Sequence, residues 1–345
     1  MGYETFYEEF GFPLKGSKLE KLKNFLKTEN LSYDEGIDFT VNLCLSDGKI
    51  AATGSLQGNV LKCIAVADEY QGEGLAAKIV TLLTSKGFEN GHRHMFLFTK
   101  TENINIFSDL GFYLIAETKD AALMENIKGG IRDFVNSIKG EHNSDNAGAI
   151  VLNCNPFTNG HLYLVETAAK MCSILHLFVV SEDKSIFPAG DRYELVKRGV
   201  EHLNNVVVHP TSDYLISSAT FPTYFMKDTY KAGDINCMLD LTIFCQHFAK
   251  PLNITRRFVG TEPFDVVTAS YNIMMKKFLG ERGIEVIEIP RFEEDNVPVS
   301  ASLVRKLMAE GNLDEIKKIV PRTTFEYIIS GRGMKIAEKL RNSRV

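Results

Sequence analysis

Several familiar signatures are missing from this chain of 345 residues, and each absence removes a class of protein. None of the six cysteines, Cys44, Cys63, Cys154, Cys172, Cys237 and Cys245, forms a CxxC pair, so neither a zinc ribbon nor a dithiol redox centre is indicated. Their neighbours are mostly apolar, among them Leu43, Ile64, Ile243 and Phe244, and they read as buried free thiols in a reducing compartment. No basic region followed by an apolar run opens the sequence, and no apolar run approaches the roughly 18 residues of a spanning helix. Gly2 stands where a myristoyl acceptor would, but Phe6 occupies the position that calls for Ser or Thr. The expected location is cytoplasmic, with no membrane partner. Charge of one sign is not in excess either. The formal net charge of -5 makes no broad electrostatic case for nucleic acid. Internal repeats and low-complexity segments are absent.

What is present is ordinary for a soluble globular chain, with 44% hydrophobic and 24% charged residues. The length calls for two domains. The boundary is expected where Lys128-Gly129-Gly130 gives way to a short helix over residues 131–138 and then to the polar stretch Lys139–Asn146. The expected division is residues 1–130, a linker at 131–146, and residues 147–345.

In the first half, hydrophobic patterning predicts helices at Lys18–Lys27, Leu75–Phe88 and Asn103–Leu110. It predicts strands at Phe39–Leu45, Ile50–Leu56, Asn59–Val66, His94–Phe98 and Phe112–Ala116. In the second half, strands at Ala147–Leu152, Ile174–Val180, Val206–His209, Arg256–Val259 and Ile284–Ile289 alternate with helices. The helices are His161–Met171, Asp191–His202 with Asp191 as N-cap, Asp234–Phe248 and Val267–Leu279. Such alternation predicts a parallel sheet with crossover helices.

Two segments of the second half carry phosphate chemistry. Asn155-Pro156-Phe157-Thr158-Asn159-Gly160-His161 lies between the first strand and the first helix, at the carboxyl edge of a parallel sheet. The helix start offers unpaired N–H groups to an anion, Gly160 allows close backbone approach, and Thr158 and His161 add side-chain donors. Val299-Ser300-Ala301-Ser302-Leu303-Val304-Arg305 opens a later helix, where Ser300 and Ser302 can cap it and meet phosphate oxygens. Arg305 follows one turn inside. In the first half, Gln71-Gly72-Glu73-Gly74-Leu75-Ala76 sits at another strand-to-helix junction, and by its resemblance to the GNAT-type Q/RxxGxG/A loop it is expected to cradle a pyrophosphate. Glu73 is a departure, placing negative charge in a phosphate-holding loop.

The segment Thr158–His161 resembles the (H/T)xGH motif of the nucleotidyltransferase superfamily, and Val299–Arg305 resembles its later ISSTxxR/K signature. Gln71–Ala76 and Phe107-Ser108-Asp109-Leu110-Gly111-Phe112 resemble the Q/RxxGxG/A loop and the FxxLGF segment of GNAT-type acetyltransferases. A GNAT-like domain followed by such a nucleotidyltransferase domain resembles the citrate lyase ligases over nearly the whole chain. The resemblance implies an α/β protein: a GNAT-like mixed α+β domain, then a Rossmann-like parallel α/β domain. It implies that ATP and acetate form acetyl-adenylate with release of pyrophosphate. The acetyl group then passes to the thiol of the dephospho-coenzyme A-derived prosthetic group on the citrate lyase acyl carrier subunit.

By the same resemblance Thr158, His161, Lys184 and Arg305 are the catalytic residues, and Arg192 orders the site. ATP contacts fall to Asn155, Pro156, Phe157, Gly160, Gly260, Thr261, Glu262, Ser300 and Ser302. Gln71, Gly72, Gly74 and Ala76 are expected to bind the phosphopantetheine arm. No acidic pair has metal-ligand spacing, so Mg2+ is expected with ATP rather than in a protein cage. Three alternatives stay open: adenylylation of a phosphopantetheine- or nucleotide-like compound, acetate activation for tRNA, and a non-catalytic acyl-coenzyme A sensor.

Overall fold

The computed structural model describes residues 5–140, 144, 146–181, 185–215, 229–261, 266–295 and 297–342. Among these the chain divides into two compact units. The first lies within Met1–Asp133 and Thr220–Thr242, the second within Phe134–Ala219 and Ile243–Val345.

The first unit runs β1 (Tyr7–Gly11), α1 (Gly16–Thr28), β2 (Phe39–Cys44), β3 (Ile50–Gln57), β4 (Val60–Val66), α2 (Leu75–Glu89), β5 (Phe96–Thr99), α3 (Ile104–Asp109), β6 (Tyr113–Glu117) and β7 (Ala122–Glu125), and α4 (Gly130–Lys139) follows. Its seven-stranded sheet has the order β1-β2-β3-β4-β5-β7-β6. The apolar face of α2, with Leu75, Ile79, Val80 and Leu83, packs with Val41, Leu43, Ala52 and Leu61 in one core. β4 and β5 are the parallel pair, registered at Val60↔Phe96 and Leu61↔Leu97. Past that pairing they flank a cavity of about 340 Å³ lined by Ile64, Ala65 and Val66 on one strand and Leu97, Phe98 and Thr99 on the other.

The FxxLGF segment has a local explanation. Phe112 N–H donates to the Phe107 carbonyl (3.0 Å) and Gly111 N–H to the Ser108 carbonyl (3.1 Å), while Gly111 takes φ +87°. These two bonds terminate α3 in a Schellman motif, and Phe107 and Phe112 join the same core cluster. The segment is a helix stop.

The second unit contains β8 (Ala147–Leu152), α5 (Asn159–Ala169), β9 (Ile174–Val179), α6 (Ala189–Gly199) and β10 (Val206–Pro210). After α7 (Thr229–Ile243), which falls almost wholly in the first unit, come a π-helical turn at Phe244–Ala249, β11 (Ile254–Gly260), α8 (Val266–Gly280) and β12 (Glu285–Ile289). A short hairpin of β13 (Glu293–Glu294) and β14 (Val297–Pro298) leads into α9 (Ala301–Glu310), α10 (Leu313–Ile319), α11 (Arg322–Ile328) and α12 (Gly331–Asn342). The main sheet has the order β10-β9-β8-β11-β12 with every pair parallel. The chain therefore reverses its direction of sheet growth between β8 and β11, and their carboxyl ends open side by side at the position where doubly wound sheets bind ligands.

Three local expectations need correction. Asp191 is not the N-cap of α6; Pro188 is. Asp191 instead accepts from the Tyr327 hydroxyl (2.6 Å) and Arg332 Nη1 (3.1 Å), tying α6 to the carboxyl-terminal helices. The helix expected over Asp234–Phe248 gives way to π geometry from Phe244. Strands β1 and β7 have no counterpart in the sequence prediction.

Candidate functional site

At the switch point between β8 and β11 lies a cavity of about 350 Å³. Five chain segments meet there. β8 supplies Val151 and Leu152, the start of α5 supplies Thr158, Gly160 and His161, and β11 with its following loop supplies Arg257–Thr261. α8 contributes Thr268, Tyr271, Asn272 and Met275. The fifth wall is the run from Ile289 to Phe292 together with Val299, Ser300 and Ala301 at the start of α9.

Both helix starts are capped by a side-chain hydroxyl. Thr158 is the N-cap of α5, its hydroxyl accepting from His161 N–H at 3.3 Å. His161 answers in the third helical position, its Nδ1 accepting from Thr158 N–H at 3.0 Å. This is a capping box with histidine where glutamate or glutamine is usual. It fixes the tautomer: Nδ1 holds the lone pair, so the neutral ring carries its proton on Nε2. Burial lowers the His161 pKa to about 4, helped by the positive charge of Arg291. The ring is thus a neutral donor at physiological pH.

Ser300 caps α9, its hydroxyl accepting from Leu303 N–H at 3.1 Å. The two openings abut. A Cβ built on Gly160 would stand 2.9 Å from the Val299 carbonyl oxygen, so this position needs glycine for close approach.

Not every expected residue lines the cavity. Thr158, Gly160, His161, Gly260, Thr261 and Ser300 do. Arg305 is not among the lining residues: it donates to the Asn155 carbonyl and, at 2.9 Å, to Ser302 Oγ, so it ties α9 to the loop before α5. Burial lowers its pKa. Asn155 also uses Oδ1 to accept from Phe187 N–H at 3.1 Å. Pro156 is buried and the Asn155–Pro156 bond is cis. Phe157, expected at the nucleotide, is instead fully buried in the core. Its ring stacks behind His161 with centroids 6.0 Å apart. Lys184 and Glu262 lie outside the described residues.

Arg192 is fully buried rather than a solvated surface charge. Its Nη1 donates to the Val180 carbonyl and to the carbonyl and Oδ1 of Asn153, each at 2.7 Å, and Nε donates to the Phe187 carbonyl at 3.0 Å. One guanidinium therefore holds together the chain leaving β8 and the chain leaving β9.

Sequence reasoning missed the wall formed by α8 and by Arg291. Asn272 is buried and donates to the Gly260 carbonyl at 3.3 Å. Arg291 donates through Nε to the Thr261 carbonyl at 2.9 Å. The available signal was Ile289-Pro290-Arg291, a cation just past the carboxyl end of the last parallel strand.

In the first unit, Gln71 borders the cavity between β4 and β5 and donates to Asp68 Oδ1 at 2.8 Å. Gly74 takes φ +76° as N-cap of α2 and Gly72 takes φ +86°, with open space where a Cβ of either would stand. Ala76 lies in the first turn of α2.

Comparison with known proteins completes this description. Residues 147–328 match the family model of the citrate lyase ligase C-terminal domain, and residues 3–112 match that of the acetyltransferase (GNAT) family. The citrate (pro-3S)-lyase ligase of Escherichia coli (strain K12) is 39% identical over 321 residues, covering 91% of each chain. The chain belongs to the citrate lyase ligase family. As a member of that family it is a ligase, with a GNAT domain and a parallel α/β domain that carries the family's carboxyl-terminal match. The Klebsiella pneumoniae ligase is 40% identical over 316 residues, covering 90% of this chain and 92% of that one. A phosphopantetheine adenylyltransferase of Streptococcus gordonii matches less of the chain, 26% identical over 114 residues, or 32% of this chain and 70% of that one. Among the described residues no helix is long and apolar enough to cross a membrane, and no group of three or more His, Cys, Asp or Glu side chains stands together to hold a metal.

Proposed function

We propose that the chain activates acetate with ATP and passes the acetyl group to the prosthetic-group thiol of a citrate lyase acyl carrier subunit, so activating the lyase. The observation that carries this reading is the single cavity lined by Thr158, His161 and Ser300, residues from two helix starts about 140 positions apart in sequence. A carboxylate oxygen of acetate attacks the α-phosphorus, the bond from that phosphorus to the β-phosphate oxygen breaks, and pyrophosphate leaves. The sulfur of the carrier thiol then attacks the acetyl carbonyl, AMP leaves, and the thiol proton passes to solvent. No protein nucleophile is required. His161 donates Nε2–H to a phosphate oxygen while Thr158, Ser300 and the helix amides hold the others, so that charge growing in the transition state meets fixed donors.

Arg305 acts by holding the loop that carries Thr158, and Lys184 is assigned to the phosphates. Asn155, Pro156 and Phe157 support the loop from behind. Gly260, Thr261 and Glu262 border the nucleoside. Mg2+ would enter with the triphosphate, neutralising part of its charge.

The working division is residues 1–130, a linker at 131–146, and residues 147–345. In the first of these, the cavity between β4 and β5, which Gln71 borders, receives the carrier's phosphopantetheine arm, and Gly72, Gly74 and Ala76 at the start of α2 are assigned to its phosphate. The partial match to phosphopantetheine adenylyltransferases supports a second reading, adenylylation of a phosphopantetheine-like compound. Isotope exchange between pyrophosphate and ATP separates the two: dependence on acetate supports acyl-adenylate formation, dependence on phosphopantetheine supports the second reading.

A further inference from the structure

Gly260 ends β11 with a carbonyl that can only accept, and Asn272 of α8 meets it with Nδ2 at 3.3 Å. This contact orients the whole amide. The nitrogen must face the carbonyl, so Oδ1 is turned away from it, as an acceptor that cannot donate. Asn272 is 4% exposed and lines the switch-point cavity. Among the described residues no N–H or O–H donates to Oδ1. An enclosed amide oxygen is costly to leave unmatched, so this one calls for a donor on whatever fills the cavity.

Its neighbours decide what kind of donor that is. Met275, one turn further along α8, is buried and lines the same cavity, as do Leu164 of α5 and Phe258 of β11. The hydroxyls of Thr158 and Ser300 belong to the starts of α5 and α9 instead. An apolar wall with one fixed acceptor fits a flat heteroaromatic base that carries an exocyclic amine. Adenine presents such an amine, whereas guanine presents an oxygen at the corresponding position and would set acceptor against acceptor.

We propose that Asn272 selects adenine, its Oδ1 accepting a hydrogen bond from the N6 amine of ATP. The inference rests on the nucleotide reading given above and deepens it with a specificity-determining residue outside both signature segments. The Gly260 carbonyl serves this role by fixing which end of the amide the base meets.

The test is calorimetric binding of ATP, GTP, 2′-deoxy-ATP and purine riboside triphosphate, which lacks the amine, to the full chain and to its Asn272→Ala and Asn272→Ser variants. The parent is expected to prefer ATP over purine riboside triphosphate about tenfold, and over GTP about tenfold to hundredfold. In either variant the ratio of ATP to purine riboside triphosphate affinity should collapse toward one. A residue that only braced Gly260 would, when replaced, weaken both nucleotides alike and keep their ratio, and that result would overturn the proposal. So would a parent that binds the two equally, an outcome that needs no variant to fold. A collapse of the preference for ATP over 2′-deoxy-ATP, with the amine preference kept, would also overturn it by moving Asn272 to the ribose. A parent that binds no nucleotide at all would remove the nucleotide reading itself, an outcome distinct from a parent that binds nucleotides without regard to the amine.

Discussion

Gly160 approaches the Val299 carbonyl so closely that a methyl group there would lie 2.9 Å from the oxygen. This contact sets the separation of two helix starts that share one cavity. Gly160→Ala must push Val299, and with it Ser300, away from Thr158. The expected result is a fall of about a hundredfold in adenylate formation, since small misplacements of reacting groups are costly. The stability loss should be about 1–3 kcal/mol, as for other overpacked positions. Single-turnover kinetics beside a denaturation curve checks both.

His161→Ala should lower adenylate formation by about two to three orders of magnitude, the cost of removing one oriented transition-state donor, while leaving the fold intact. Unchanged single-turnover kinetics would refute the assigned role.

The same ring makes a signed prediction about pH. The folded chain holds the His161 pKa near about 4, below its ordinary 6.5. Between those values the unfolded chain binds a proton that the folded one refuses, so the His161 contribution to stability is present above about 6.5 and is lost as pH falls toward about 4. His161→Gln should show a shallower loss of stability across that window than the parent in paired urea titrations.

Arg192 gathers carbonyls from Asn153, Val180 and Phe187. Arg192→Met removes the donor that these carbonyls share and should cost about 3–5 kcal/mol, the range for breaking a buried charged network. Arg192→Lys should not restore stability, because one ammonium cannot reproduce the fork. Chemical denaturation of the three chains decides this.

The alternation of strands and helices after residue 146 was legible because buried parallel strands are near-continuous apolar runs, as in Ile174–Val179, where His176 is the one polar residue. Strand β1 was not, since Tyr7, Glu8 and Phe10 are exposed on a sheet edge and only pairing with β2 defines it. Strand β7 is four residues, Ala122–Glu125, of helix-favouring types that become a strand because β5 and β6 flank them. At the site, the two helix starts were readable from their caps. The burial of Phe157 and Arg192 and the arrival of Arg291 were not, because they depend on how distant segments pack.

Gly74 holds φ +76° at the start of α2, in the left-handed region where a β-branched residue is strained. Gly74→Val should impair acetyl transfer to the acyl carrier while leaving acetate-dependent pyrophosphate exchange unchanged. Intact transfer in that variant would remove the carrier arm from the cavity between β4 and β5.

Pyrophosphate–ATP exchange by the parent chain, run with and without acetate and in the absence of any acyl carrier, is the most direct test of carboxylate activation at the switch-point cavity. Exchange that appears on adding acetate is the predicted result. Exchange that ignores acetate and requires phosphopantetheine, or no exchange with any acid or acceptor, would contradict it.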